Sequence, residues 1–446
     1  MTEPPPGYLG AEARITRGPA PELVAAGYEL ELADAPLLER GLTLADIAHV
    51  VALPTIPDEH RRQLLHALAH VDVSGISSEY GDLVNLRERA LQQQIGDAAG
   101  WLNAGRPRRE AGRIAFRIAL RTRLLDLAQA IARFADALTE KAAQERETLM
   151  PDYTYLQPAQ PTTAAHWLLS FAYPALRDLE RALHDFAETN RSPAGAGGVN
   201  GSRFPIDRER LAGLLGFSEP ITHTRDAMWQ ADGFAEATWH AATAATNASR
   251  FADDAEIFGS DEFGLLRIGD ELCRASALMP QKRNPYALVV IRGGARTLLG
   301  RATGVLATQL TPSGRTDNLL YAYGEVAGSV ELATRLMNLA AVTAASIEFA
   351  EKELPAATLA TDQAEQLSLD TGLDYRSAYK RVAQQIQAGD PRDAIATRTV
   401  TGGAAPKPLQ WMLDDCRAKI ARARERLAAE RAGIEAAEHA LIAMAQ

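Results

Sequence analysis

The feature of this 446-residue chain that most restricts its fold is a series of long stretches in which apolar residues recur at three- and four-residue spacings. Ile114, Ile118, Leu124, Leu125 and Ile131 set the pattern, and similar runs fill 161–190, 225–258, 285–309 and 320–350. That period places apolar side chains on one stripe of a helix, which must then be buried. Strand signals are sparse. Prolines and glycines at Pro151, Pro158, Pro161, Pro193 to Gly201, Pro280, Pro285, Pro312 and Pro355 fall between the runs, as at helix boundaries. Helices of about 30 to 40 residues far exceed the ~11–12 residues of an average globular helix. The expected class is all-α, with a central bundle elongated enough to pack against copies of itself. Pro4-Pro5-Pro6 reads as a short disordered start.

Composition narrows the partners. With 46% hydrophobic residues the chain can bury a large core. A net charge of −10 argues against nucleic-acid or anionic-membrane surfaces, which need a dominant basic patch. The N-terminal MTEPPPGYLGAEARI lacks a basic and an apolar targeting region, and no apolar run is long enough to span a bilayer. Two cysteines, Cys273 and Cys416, cannot build a disulfide framework or a structural zinc site. The expectation is a cytoplasmic protein with a small-molecule partner, and with no nucleic acid or membrane partner.

The segment Ser276-Ala277-Leu278-Met279-Pro280-Gln281-Lys282-Arg283-Asn284-Pro285 concentrates the chemistry. Asn284-Pro285 before an apolar periodic run reads as a helix start, with asparagine as N-cap and proline at the first helical position. Lys282 beside free backbone amides and the positive end of a helix dipole makes a carboxylate-binding site. Upstream, Asp270 to Ser276 carries no strong structural signal, which suits a mobile lid. Taken alone, the segment is equally an ordinary helix-capping loop.

Its pattern resembles the GSSxMPxKxNP signature of the fumarase/aspartase superfamily, and MPQKRNP is similar to the argininosuccinate lyase branch. Asp152 to Pro161 (DYTYLQPAQP) resembles that family's GYTHLQPAQP, and Trp101 to Glu110 its LHTGRSRND. Ser192 to Gly197, followed by Phe204 to Glu209, and Leu359 to Asp362 are similar to further family blocks. The resemblance implies a three-domain, mostly helical homotetramer, with the central bundles forming its core and active sites assembled from three subunits. The domains would be 1–108, 109–354 with an active-site loop at 265–285, and 355–446. It also implies proton removal beside a carboxylate, loss of the β-heteroatom group and release of fumarate from a dicarboxylate substrate. No metal or other cofactor is called for.

By the same resemblance Ser276 is the catalytic base, its alkoxide stabilised by Lys282 and loop amides once water is excluded. Lys282 and Asn284 would hold the carboxylate where negative charge develops. Met279 and Gln281 of the loop, Thr154, Arg108 and Asp82 complete the substrate-binding set, with a surface hydrogen bond as the competing reading for the last three. Tyr155 stands where the family has the histidine that protonates the leaving amine, and Val289 where it has that histidine's glutamate partner. The pair is replaced as a unit. Tyr155 is then either a phenolic acid, weak with a pKa near 10, or a space-filling aromatic.

Other departures surround the amino-acid end of the family's substrate. Asn103 and Ala104 replace His-Thr, Arg109 replaces asparagine, Ala231 replaces the arginine of SDRD, and Glu31 and Ala35 stand near a family serine and aspartate. Arg109, Arg113, Arg117 and Arg121 share one helix face. The ordinary reading is a solvated or interface-paired stripe; the sharper one has Arg109, with Arg113, reading an anionic group. His66 and His70, four apart, lack a third ligand for a metal, and glycines 195, 197, 198 and 201 read as a tight turn. The expectation is therefore an amine-eliminating lyase acting on an N-substituted aspartate or β-substituted succinate, or the reverse addition, with argininosuccinate itself disfavoured. Two alternatives stand beside it: loss of a group needing no acid, such as nitrite or a hydrazine, and a non-catalytic helical scaffold.

Overall fold

The computed structural model describes residues 17–229, 231–315 and 322–445, so Pro4 to Pro6 lie outside the described residues. An N-terminal unit holds helices α1 (Ala35–Ala52), α2 (Asp58–Leu68) and α3 (Leu83–Ile95). Five long helices follow: α4 (Arg108–Gln144), α5 (Ala164–Thr189), α6 (Asp232–Phe258), α7 (Tyr286–Ala307) and α8 (Ala322–Ser346). After α9 (Ala360–Thr371) and α10 (Tyr375–Gln384), the 38-residue α11 (Pro406–Ala443) packs along α4 and α5. The described strands form four two-stranded pieces, the longest being the hairpin β1 (Leu149–Thr154) and β2 (Gln157–Thr163). No described helix is long and apolar enough to cross a membrane.

The periodic residues do what their spacing requires. Ile114, Ile118, Leu124, Leu125 and Ile131 are all buried, and Phe116, Phe134 and Phe251 fill the bundle interior. On α6 a run of buried alanines, from Ala235 to Ala255, keeps side chains short enough for close helix packing. Where α1 crosses α4 the approach is tighter still: a Cβ on Gly41 would sit 2.6 Å from the Ala115 Cα, so only glycine fits. At 1.5 Å per residue, the 37-residue α4 is roughly 55 Å long. Its length separates the two ends of the bundle, and with them the candidate site residues.

The N-terminal unit is joined to the start of α4 by a buried charge network. Asp46 on α1 accepts from Arg87 at 2.9 Å and from Arg106 at 2.6 Å, with all three side chains buried. Burial, aided by the Arg106 charge, pushes the adjacent His49 imidazole down to about 3. Its folded value lies below the ordinary 6.5, so the unfolded chain binds the extra proton and stability is lost as pH falls from about 6.5 toward 3. A His49→Gln variant, free of this titration, should therefore close the stability gap to the native chain on acidification. Denaturant midpoints between pH 7 and pH 5 check this, and a gap independent of pH would contradict it.

Candidate active site

The sequence-predicted residues fall into three groups at the two ends of the bundle. At the start of α4, Arg108 pairs with Asp82 at 2.6 Å, while Asp82 also caps α3 by accepting from Val84 N at 3.1 Å and Asn85 N at 3.2 Å. Arg109 lies 3.9 Å from Glu31. These four residues line one cleft with Asp34, Leu38 and Tyr323, whose ring stacks on Phe116 at 3.9 Å. Burial raises the Glu31 and Asp34 carboxyls above the usual range, only partly countered at Glu31 by Arg109. The cleft thus presents both signs of charge. Asp34 and Tyr323 escaped the sequence reading, because nothing local marks them and folding alone brings them beside Arg109.

The second group is the tip of the β1–β2 hairpin, at the other end of the bundle. Thr154 pairs with Gln157, leaving Tyr155 and Leu156 as a two-residue turn. Both are left-handed, at φ 54° and 57°, and they alone among the described non-glycine residues have positive φ. A turn of this kind suits the twist of the flanking strands but ordinarily takes Asn-Gly, and each non-glycine residue here costs about 1–2 kcal/mol. Just below the turn, Tyr153 anchors the hairpin to the bundle, its ring packed on Phe258 and Phe263. As a result Tyr155 stands 99% exposed, projected away from its own chain.

The third group is the signature loop, anchored at that same end. Leu266–Arg267 pairs with Glu348–Phe349, and Arg274–Ala275 pairs with Arg283–Asn284, so residues 276–282 form a hairpin tip. The Ser276 hydroxyl oxygen accepts from Met279 N at 3.0 Å and Leu278 N at 3.3 Å. Two amide donors aimed at one oxygen favour its anionic form, which is what a serine base requires. Met279, Gln281 and Lys282 are exposed.

The structure corrects four local readings. Asn284 does not cap α7: Pro285 occupies the cap position without a side-chain bond, and the Asn284 amide instead donates to Arg274 O at 3.0 Å across the hairpin. The pull of the strand pairing outweighs the capping preference. Asp270 to Ser276 is a 3-10 turn leading into a strand, tied down by Arg283, which donates to Ile268 O and pairs with Asp270. The arginine stripe is not solvated. Arg113 is buried against Phe234 and donates to Ala227 O at 3.4 Å, Arg117 serves the carbonyls of Glu188, Thr189 and Arg191, and Arg121 binds Asn190, Leu215 and Gly216. Arg117 and Arg121 gather oxygens around the end of α5, Arg113 turns to the Ala227 carbonyl before α6, and of the stripe only Arg109 reaches the cleft. His70 lies beyond the end of α2, so it does not share a helix face with His66.

Among the described residues no hydrogen bond or ion pair joins the three groups, and the length of α4 separates the cleft from the two hairpin tips. Val289 is 46% exposed on α7, so in one chain the replaced Tyr155 and Val289 both face outward.

Comparison with known proteins completes the picture. A family profile described as lyase matches residues 61–300. The argininosuccinate lyase of Halobacterium salinarum is 35% identical over 386 residues, covering 83% of this chain and 79% of that one. The argininosuccinate lyase of Methanothrix thermoacetophila is 29% identical over 88% of this chain and 90% of its own length. Among solved structures, an EDDS lyase variant with bound fumarate superposes with a TM-score of 0.85 at 24% identity, over 98% of this chain and 97% of that one. The class II fumarase of Schistosoma mansoni gives 0.65 at 12% identity, over 87% and 91%. At these identities the structural likenesses speak for the fold.

Proposed function

The chain belongs to the lyase family as an argininosuccinate lyase-like carbon–nitrogen lyase of the fumarase/aspartase superfamily, and on that premise we propose that it eliminates an amine from an N-substituted aspartate or related β-substituted succinate, releasing fumarate, or runs the addition in reverse. The observation that carries this reading is the Ser276 oxygen facing two backbone amides in the signature loop. In the proposed mechanism Ser276, as alkoxide, removes the proton on the carbon beside the carboxylate. Lys282 and Asn284 stabilise the charge that develops on the carboxylate oxygens, and Met279, Gln281 and Thr154 complete its enclosure. The C–N bond then breaks, the electron pair leaves with nitrogen, and the amine takes up a proton. Tyr155, where the family has histidine, is the phenol placed to help that transfer; its weak acidity favours a leaving amine that needs little assistance.

The separation of the groups supports a shared site. An end-to-end distance of roughly 55 Å is bridged when the cleft of one copy meets the hairpin tips of others lying antiparallel to it. Exposed Val289, Val290, Leu299 and Leu306 on α7 supply an apolar surface for such packing. We therefore read the assembly as a homotetramer, with units 1–108, 109–354 and 355–446, the last sending α11 back along the bundle. Arg108, Asp82 and Arg109 would then face the leaving group, and the altered cleft favours a partner other than argininosuccinate.

A panel of N-substituted aspartates and other β-substituted succinates, followed by the ultraviolet absorbance of fumarate, tests the reading. At least one should turn over. For that substrate Arg109→Asn should raise KM several-fold with kcat little changed, since a cleft charge contributes to binding more than to chemistry. No turnover across the panel would defeat the assignment, and an unchanged KM would remove Arg109 from the site. Faster release of nitrite or a hydrazine than of any amine would favour the acid-free alternative.

A further inference from the structure

Glu110 is 1% exposed and carries no part of the chemistry above. It lies in the first turn of α4, two residues after Arg108, and is therefore rotated about 200° around the helix from it. Its two carboxylate oxygens each accept one backbone amide, Oε1 from Gly195 N and Oε2 from Gly197 N, both at 2.7 Å. The glycines that receive this clamp cannot be other residues. Gly195 and Gly197 have φ of 74° and 68°, and a Cβ on Gly197 would sit 2.7 Å from Gly201 O. On its far side the loop is stitched by Arg208, which donates to Ala194 O at 3.1 Å and Ile221 O at 2.8 Å. It also carries contacts onward, since Trp229 Nε1 donates to Gly198 O at 3.3 Å and Thr224 Oγ1 to Val199 O at 2.9 Å.

We infer that Glu110 is a positioning residue: as a carboxylate it clamps the 193–201 loop to the back of α4 and so sets the first turn, from which Arg108, about 200° around the helix, and Arg109, about 100° around it, reach the cleft. This rests on the cleft being part of the substrate site. The clamp is sensitive to pH. A carboxylate accepts both amides, whereas a protonated carboxyl turns an O–H toward one of them and satisfies only the other. Burial pushes the group up to about 7 against the lowering effect of the two amides, Arg106 and Arg208. The charged groups facing it are thus Arg106, itself held by Asp46 beside His49, and Arg208 from the segment following the loop. The sign is opposite for the whole chain and for the loop. With its folded value above the ordinary 4.5, Glu110 stabilises the chain in its protonated form below that value, and this contribution is lost as pH rises through about 7. Local opening of the loop is a different step: it removes the two amides that lower the carboxyl while Glu110 stays buried on α4, so the open state binds the proton more tightly than the closed one and the loop is held more firmly once the carboxylate forms.

Glu110→Gln tests this, because glutamine keeps the shape but offers one of the two amides a donor. Amide exchange of the intact protein, corrected for intrinsic rates, should show protection of residues 193–201 falling about tenfold in the variant while α5 and α6 stay unchanged. In the native protein the same protection should fall as pH drops from 8 to 6, and in the variant it should not. With an active substrate, KM should rise more than kcat falls, and the acid-side rise in KM should vanish in the variant. Unchanged loop exchange, or a pH-dependent loop that persists in Glu110→Gln, would overturn the inference. If the variant exchanges globally, Glu110→Asp, which keeps the charge but is too short to span both amides, should lose protection at the loop alone, and equal loss throughout the chain would likewise overturn it. The exchange readout needs no substrate, so failure of the lyase reading would not be mistaken for failure of the clamp.

Discussion

Ser276→Ala should leave the fold intact and lower fumarate-forming turnover by about a thousandfold or more. The side chain sits at an exposed hairpin tip and makes no core contact, so its loss removes little stability. What it removes is the one oxygen toward which Met279 N and Leu278 N are aimed. A serine whose only duty was to shape the loop would behave differently: the alanine variant would lose two modest hydrogen bonds and keep activity within a few-fold, since each is worth about 1 kcal/mol. Turnover measured on any active member of the panel, with unchanged circular dichroism and oligomer size, separates these cases. Activity within tenfold of the native enzyme would mean that the base lies elsewhere.

The second large effect concerns where the halves of the site come from. Arg108→Ala alone should lose most activity by opening the Asp82 pair in the cleft, and Ser276→Ala alone should lose nearly all of it. Co-expressed, the two should recover up to roughly a quarter of native activity, the fraction of sites that random pairing supplies with both native residues from different chains. The recovery follows from the length of α4, which keeps Arg108 of one chain far from Ser276 of the same chain. Differently tagged subunits would establish that hybrids had formed. Hybrids no more active than the single variants would place both residues in one chain's site and refute the shared arrangement.

Much of this protein was legible in its sequence because the signals were periodic or contiguous. The helical runs at 161–190 and 285–309 reappear as Ala164–Thr189 and Tyr286–Ala307, since a buried stripe leaves little freedom in where a long helix begins and ends. The DYTYLQPAQP segment also kept its identity, but its conformation was hidden: nothing in Tyr155-Leu156 announces two left-handed residues. The capping role expected of Asn284 failed because its strand pairs with Arg274–Ala275, which turns its side-chain amide to Arg274 O. The arginine stripe misled in another way. Its four-residue spacing places the side chains on one face, yet what that face meets, from Glu31 at Arg109 to the oxygens around the end of α5 at Arg117 and Arg121, depends on packing alone.

By itself, the sequence determined the helical class, the signature loop and the family, because local period and contiguous motif survive without knowledge of the fold. The tertiary structure decided which charges meet: Glu31 and Asp34 beside Arg109, Glu110 against Gly195 and Gly197, and the cleft at one end of a helix roughly 55 Å long with the hairpin tips at the other. Electrostatic pairing and burial depend on distance in space, and residues far apart in the chain have no sequence period to announce it.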